Sequence, residues 1–116
     1  MAKSVGEILK LHTIALLSGD IEEALSHYAD DAVLIMEEGI YRGLDGVRTF
    51  MQDTMDNVIT KNTKHTTISV HIEGDIAYAE WKAESDKAII EYAADTFIIR
   101  DGKILVQTAA AVMKMK

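Results

Sequence analysis

The sequence predicts an α+β fold: a curved antiparallel sheet wrapped around helices into a cone with an interior pocket. Three observations carry this. Two helix-forming segments come first, separated by Ser18-Gly19-Asp20 and followed by the short apolar run Ala32 to Met36. A third helical segment opens after Tyr41-Arg42-Gly43. Beyond Lys61-Asn62 the hydrophobic period changes from that of a helix to two, and it stays there to the C-terminus. Two helices, a strand, a helix and four strands in this order build a cone around a pocket.

Each element has its own local signal. Ser4 and Glu7 have capping-box spacing and start a helix near Val5. It runs to Ser18, where Gly19 suits the left-handed residue that ends many helices. Asp20 caps a second helix, with Glu23 at the matching third position. Its residues Ile21, Ala24, Leu25 and Tyr28 share one face, and Asp30-Asp31 then reads as a turn. The third helix is expected from Leu44 to Ile59, burying Val47, Phe50, Met51, Met55, Val58 and Ile59. Thr66 to Glu73 alternates, with Ile68, Val70 and Ile72 on one side. Gly74-Asp75 turns it into Ile76 to Glu84, which points Trp81 at the core. Ser85-Asp86-Lys87 leads to a long strand ending at Ile99, and Asp101-Gly102 to a last strand from Lys103 to about Met113.

Composition narrows the function. The 116 residues fit one domain spanning 1–116, with 48% hydrophobic and 27% charged residues. Without cysteine, disulfides and thiolate metal sites are excluded. A formal charge of −7 repels phosphate backbones and anionic membranes, so neither nucleic acid nor a membrane is an expected partner. No apolar run reaches the ~20 residues of a membrane span. Glu7 falls where a signal peptide needs apolar residues, so the expected location is cytoplasmic. His65 and His71 share a strand face but lie about 20 Å apart. No metal site is expected, and no cofactor either: phosphate-binding glycine loops and nucleophile elbows are absent from the sequence.

The segments Ser18-Gly19-Asp20, His27-Tyr28-Ala29-Asp30-Asp31-Ala32, Tyr41-Arg42-Gly43 and Asp95 to Ile104 resemble the nuclear-transport-factor-2-like (NTF2-like) superfamily, within it the SnoaL-like and ketosteroid-isomerase-like group. The resemblance runs from about Glu7 to Val112 and implies the cone fold. It marks activity poorly, because the scaffold hosts isomerases, cyclases, dehydratases, epoxide hydrolases and non-catalytic association domains. In the ketosteroid-isomerase pattern a tyrosine seven residues before the first Gly-Asp donates to the substrate oxyanion; His12 stands there. The second donor, a protonated aspartic acid, is matched by Asp95. The general base is matched by Met36, so the proton shuttle is missing and steroid isomerase activity is not expected. Glu37 or Glu38 would replace it only with a shifted strand register.

The candidate catalytic residues are therefore His12 and Asp95. His12 lies among Ile8, Leu9 and Leu16 on an apolar helix face. It reads either as a core histidine tied to a backbone carbonyl or as a pocket donor or base. Asp95 falls between Ala93-Ala94 and Phe97-Ile98-Ile99, where a carboxyl must be protonated or paired. A His12–Asp95 pair would orient and basify the histidine. Period-two alternation places Glu91 and Phe97 on the Asp95 face, so Glu91 reads either as a second carboxyl near the pocket mouth or as an exposed strand-end glutamate, and Gln107 matches a pocket-lining position of the family. Tyr28, Met36, Phe50, Met51 and Trp81 complete the expected pocket lining, while Arg42 reads as a rim cation or a salt-bridge partner of Glu37 or Glu38. His27, beside Tyr28, is expected to be exposed. Tyr92, Thr96 and Ile98, with Ile68, Val70 or their alternates, form an outward sheet face expected to meet a second copy as a homodimer.

Two functions fit these expectations. One is a cofactor-independent isomerase, cyclase or dehydratase acting on a small apolar or carbonyl-containing molecule. The other is a non-catalytic ligand-binding or protein-association domain whose His12, Asp95 and Gln107 form an internal network.

Overall fold

The computed structural model describes residues 2–116. Its elements are α1 (Val5–Ser18), α2 (Ile21–Ser26), β1 (Tyr28–Met36), β2 (Gly39–Arg42), α3 (Gly43–Asn57), β3 (Lys64–Glu73), β4 (Ile76–Glu84), β5 (Ala88–Arg100) and β6 (Lys103–Met115). The Ser4 side chain accepts from the backbone N–H of Glu7, and the Glu7 carboxylate accepts from that of Ser4, which starts α1. Gly19 closes it in the left-handed region at φ 72°. Asp20 accepts from the N–H of Glu23 and caps α2.

The six strands form one curved sheet in the order β2-β1-β6-β5-β4-β3. β3 to β6 make the expected antiparallel meander, whereas β1 joins β6 in parallel. The helices cover the concave face, which gives a cone-like α+β fold.

Three expectations change. Helix α2 ends at Ser26, so Tyr28 opens β1 rather than closing a helical face. Asp30 and Asp31 lie within that strand, where the register against β6 shifts between Tyr28 and Val33. The exposed acids bulge outward there without ending the strand. Four residues, Gly39–Arg42, form a strand that had no signal of its own: they are too few for alternation to be visible. They pair back on β1 through a two-residue turn at Glu37-Glu38. Helix α3 then packs directly on this hairpin, since a Cβ at Gly46 would sit 3.0 Å from the carbonyl carbon of Tyr41.

The buried side chains form two clusters. The larger joins Ile8, Leu34, Val47, Met51 and Ile104; the smaller joins Ile59, Ala83, Ile90 and Ala93 beneath Leu16 and Trp81. Burial of each large aliphatic side chain stabilises the fold by about 1.5–3 kcal/mol. The two clusters do not merge, and the cavity lies where they part.

Candidate active site

Cross-strand register lines up the site. Met36, Ala109, Asp95, Ala79 and Val70 are successive partners across β1, β6, β5, β4 and β3. The adjacent inward row holds Leu34, Gln107, Phe97 and Ala77. Both rows face α1 and α3, and between sheet and helices runs a cavity of about 430 Å³. Its walls are mostly apolar, with Leu16, Met36, Phe50, Met51, Ile59 and Ile90 contributing. Its polar lining at the buried end consists of His12, Asp95, Gln107 and the half-buried Trp81. At the open end stand the exposed carboxylates of Glu37, Glu38 and Asp53.

Asp95 is 7% exposed and both its oxygens are engaged. The Trp81 indole N–H donates to Oδ1 at 3.0 Å, and the Gln107 amide donates to Oδ2 at 3.0 Å. Gln107 in turn accepts at Oε1 from the Tyr28 hydroxyl at 2.5 Å. The chain Tyr28–Gln107–Asp95–Trp81 is thus internally consistent in donors and acceptors. Desolvation raises the Asp95 pKa, and the two N–H donors oppose it less strongly. Burial raises the Tyr28 pKa as well, followed by the nearby Asp95 charge, so this hydroxyl stays protonated.

His12 is equally buried, at 5% exposure, but differently placed. Its ring meets Phe97 and Tyr28 edge-on, with centroids 5.4 and 5.9 Å away. Its Nδ1 is buried with no hydrogen-bond partner. Burial, and secondarily the neighbouring His27, lowers its pKa from 6.5 to about 4, so the ring is neutral at pH 7. The expected His12–Asp95 pair is not made, because Trp81 and Gln107 occupy the carboxyl group.

Of the other expected residues, Met36, Phe50, Met51, Trp81 and Gln107 line the cavity. Phe97 instead lines a separate recess of about 60 Å³ between α1 and β3–β5, sharing His12, Trp81 and Asp95 with the cavity. Tyr28 lies behind Gln107 and reaches the site only through it. Glu91 does not belong to the pocket. The register shifts between Ile90 and Tyr92, and this bulge turns Ile90 inward in its place. Glu91 is exposed and pairs with Lys114 at 3.0 Å. His27 also departs from expectation: it is 5% exposed, with Nε2 3.2 Å from Glu23. Arg42 precedes α3 as its exposed first cap and makes no ion pair among the described residues.

The model of the SnoaL-like domain matches residues 9–107. The chain belongs to this SnoaL-like family. No curated protein sequence matches it. Among solved structures, an NTF2-like protein of unknown function from Cytophaga hutchinsonii is similar at TM-score 0.78 and 12% identity, covering 97% of this chain and 93% of that one. A candidate polyketide cyclase from Sinorhizobium meliloti is similar at TM-score 0.74 and 17% identity, over 90% and 94% of the two chains. TerC, co-crystallised with polyporic acid, is similar at TM-score 0.77 and 16% identity, over 93% and 91%. At these identities the likeness establishes the fold.

Within this SnoaL-like chain, several wall residues had no place in the sequence reading as pocket residues. Leu16, Ile59, Ile90 and Met113 were legible only as core or as unassigned apolar positions. Glu37 and Glu38 form the two-residue turn between β1 and β2, and both acids stand at the cavity mouth.

Proposed function

We propose that this protein binds a small apolar, carbonyl-bearing molecule in the concave cavity, with Asp95 and His12 as the groups that meet its polar end. The observation that carries the proposal is the cavity itself. At about 430 Å³ it is of the size that holds drug-sized molecules, roughly 300–1,000 Å³. Its buried end gathers a few polar groups, His12, Asp95, Gln107 and Trp81, as a site that orients an apolar ligand requires. The family and the two neighbours tied to polyketide cyclisation and to polyporic acid support the same reading.

The chemistry that fits is metal-free proton transfer of the isomerase, cyclase or dehydratase kind. Burial favours the neutral Asp95 carboxylic acid, whose O–H would donate to a ligand carbonyl and stabilise charge developing on its oxygen. A neutral His12 has a ring nitrogen available to accept a proton from the adjacent carbon. One observation favours a second, non-catalytic reading: both Asp95 oxygens already have partners, and Met36 occupies the position where the isomerase pattern has its base. In that case the cavity would store or carry its ligand unchanged.

Homodimerisation through the convex sheet face belongs to the same proposal. There Ile76, Tyr92 and Val112 are 49%, 38% and 54% exposed. Not all of that face is apolar, since Tyr92 and Ser69 both donate to Glu80. Val70 and Ile72 take no part in it: Val70 lines the small recess, and Ile72 lies against α1 at Gly6.

A thermal-shift screen against apolar ketones, lactones, enones and carboxylic acids tests the ligand claim. A native-state binder at a hundredfold excess over its Kd stabilises by about 2.7 kcal/mol. The expected result is a hit that weakens in Asp95→Asn and His12→Phe variants of normal stability. No hit, with both variants strongly destabilised, would assign the polar cluster to structure alone.

A further inference from the structure

We propose that the ligand of this cavity carries an ammonium group at its outer end, facing the negative charge of Glu37, Glu38 and Asp53 at the mouth: an apolar amine rather than a carboxylic acid. The inference rests on the reading that the cavity binds a small molecule, and it specifies the charge of that molecule.

The cavity separates its polar groups by charge. At the buried end the groups favour neutrality, since burial deprotonates His12 and raises the Asp95 pKa. His12 also brings to this wall a nine-tenths-buried ring whose Nδ1 lacks a partner. The middle is apolar. At the mouth stand three carboxylates, and no lysine or arginine lines the cavity among the described residues. Cations on and next to the β6 wall strand are engaged elsewhere: Lys103 donates to the Ser26 carbonyl, Lys114 pairs with Glu91 and Lys116 with Glu84. With a formal charge of −7 on the whole chain, a carboxylate ligand would meet repulsion at the entrance and no cation within.

The rim also has the form that suits an organic cation. Glu37 is fixed there, its Oε1 accepting from the Ala111 N–H at 2.6 Å. Glu38 and Asp53 flank Tyr41; after partial burial, their charges are what raise its pKa. The Tyr41 ring packs on Phe50, with centroids 5.3 Å apart, and Phe50 is itself part of the cavity wall. Aromatic faces beside carboxylates attract ammonium groups through charge and through the ring quadrupole. A metal ion is the weaker alternative, because among the described residues no group of three or more acids and histidines converges closely enough to hold one.

The test uses three probes with one apolar body: 4-cyclohexylbutylamine, 4-cyclohexylbutan-1-ol and 4-cyclohexylbutanoate. None fluoresces, so Trp81, the only tryptophan and part of the wall, reports their binding. The amine is expected to bind about tenfold more tightly than the alcohol, the sum of two or three partly exposed charge contacts, and the acid more weakly than the alcohol. The Glu38→Gln/Asp53→Asn double variant, altered only at exposed positions, should bring amine and alcohol to within about twofold. Ala111→Phe, at an exposed position on the mouth, should weaken all three. Equal binding of the three probes overturns the charge assignment and leaves the ligand cavity standing. An amine preference that survives the Glu38→Gln/Asp53→Asn double variant places the cation elsewhere and overturns the inference, and undiminished binding of all three probes by Ala111→Phe places them outside this cavity and overturns it too. Failure of all three to bind overturns it together with the reading on which it rests.

Discussion

Asp95 and His12 line the same cavity and are buried to within 2% of one another, yet the fold treats them oppositely. Asp95 sits at the centre of a chain of four side chains, with a donor for each oxygen. His12 packs against two aromatic edges, and its Nδ1 has no partner. A satisfied buried network helps specify the fold and is costly to interrupt. A buried polar group left without a partner costs stability, and in His12 that cost falls on a residue of the cavity wall.

The largest effect expected from this contrast comes from cutting the network. Gln107→Leu strands the Tyr28 hydroxyl and one Asp95 oxygen, and should destabilise by about 4 kcal/mol in urea unfolding. A loss under 1 kcal/mol would show that the chain does not hold the sheet.

Acid comes next, and the two groups give opposite signs. The folded His12 pKa of about 4 lies below its unfolded value near 6.5. The unfolded state therefore binds the extra proton, and stability rises with pH from about 4 to 6.5, by up to about 3 kcal/mol. Asp95, raised in the folded state, contributes stability that is full below its unfolded pKa and declines as pH rises above it. The difference in urea midpoint between the native chain and His12→Leu, followed from pH 4 to 7, isolates the histidine. A difference that does not vary with pH would mean that His12 is not held neutral.

At neutral pH, His12→Leu should change stability by no more than about 1 kcal/mol, with gain rather than loss expected from removing an unpartnered nitrogen. The same substitution should weaken binding of any ketone found by thermal shift. A large destabilisation would make His12 structural and erase its contrast with Asp95. The smallest effect belongs to Glu91→Ala, which removes an exposed pair with Lys114 outside the cavity. It should alter stability by about 0.5 kcal/mol or less and leave ligand binding unchanged.

How far the site could be read in the sequence follows from the range of the interactions. Caps at Ser4, Asp20 and Gly19 act within four residues, so the ends of α1 and the start of α2 were legible. The family resemblance pointed to Asp95 and Gln107, and β5 and β6 stay in register between them, which sets both on inward rows. The same rule failed at Glu91, where one extra residue reverses the alternation, and at Ile68, where the β3 register also shifts. Nothing local could tell that Trp81 and Gln107, rather than His12, would take the Asp95 oxygens. That choice depends on how α1 settles over the sheet, which involves residues more than eighty positions apart.

The most direct test of the central claim is nitrogen NMR of the histidine-labelled protein, recorded at pH 6 with and without a compound that raises its unfolding midpoint. The account predicts a neutral His12 ring whose nitrogen signals move when the cavity fills. A ring already charged at pH 6, or one that no stabilising compound disturbs, would contradict it.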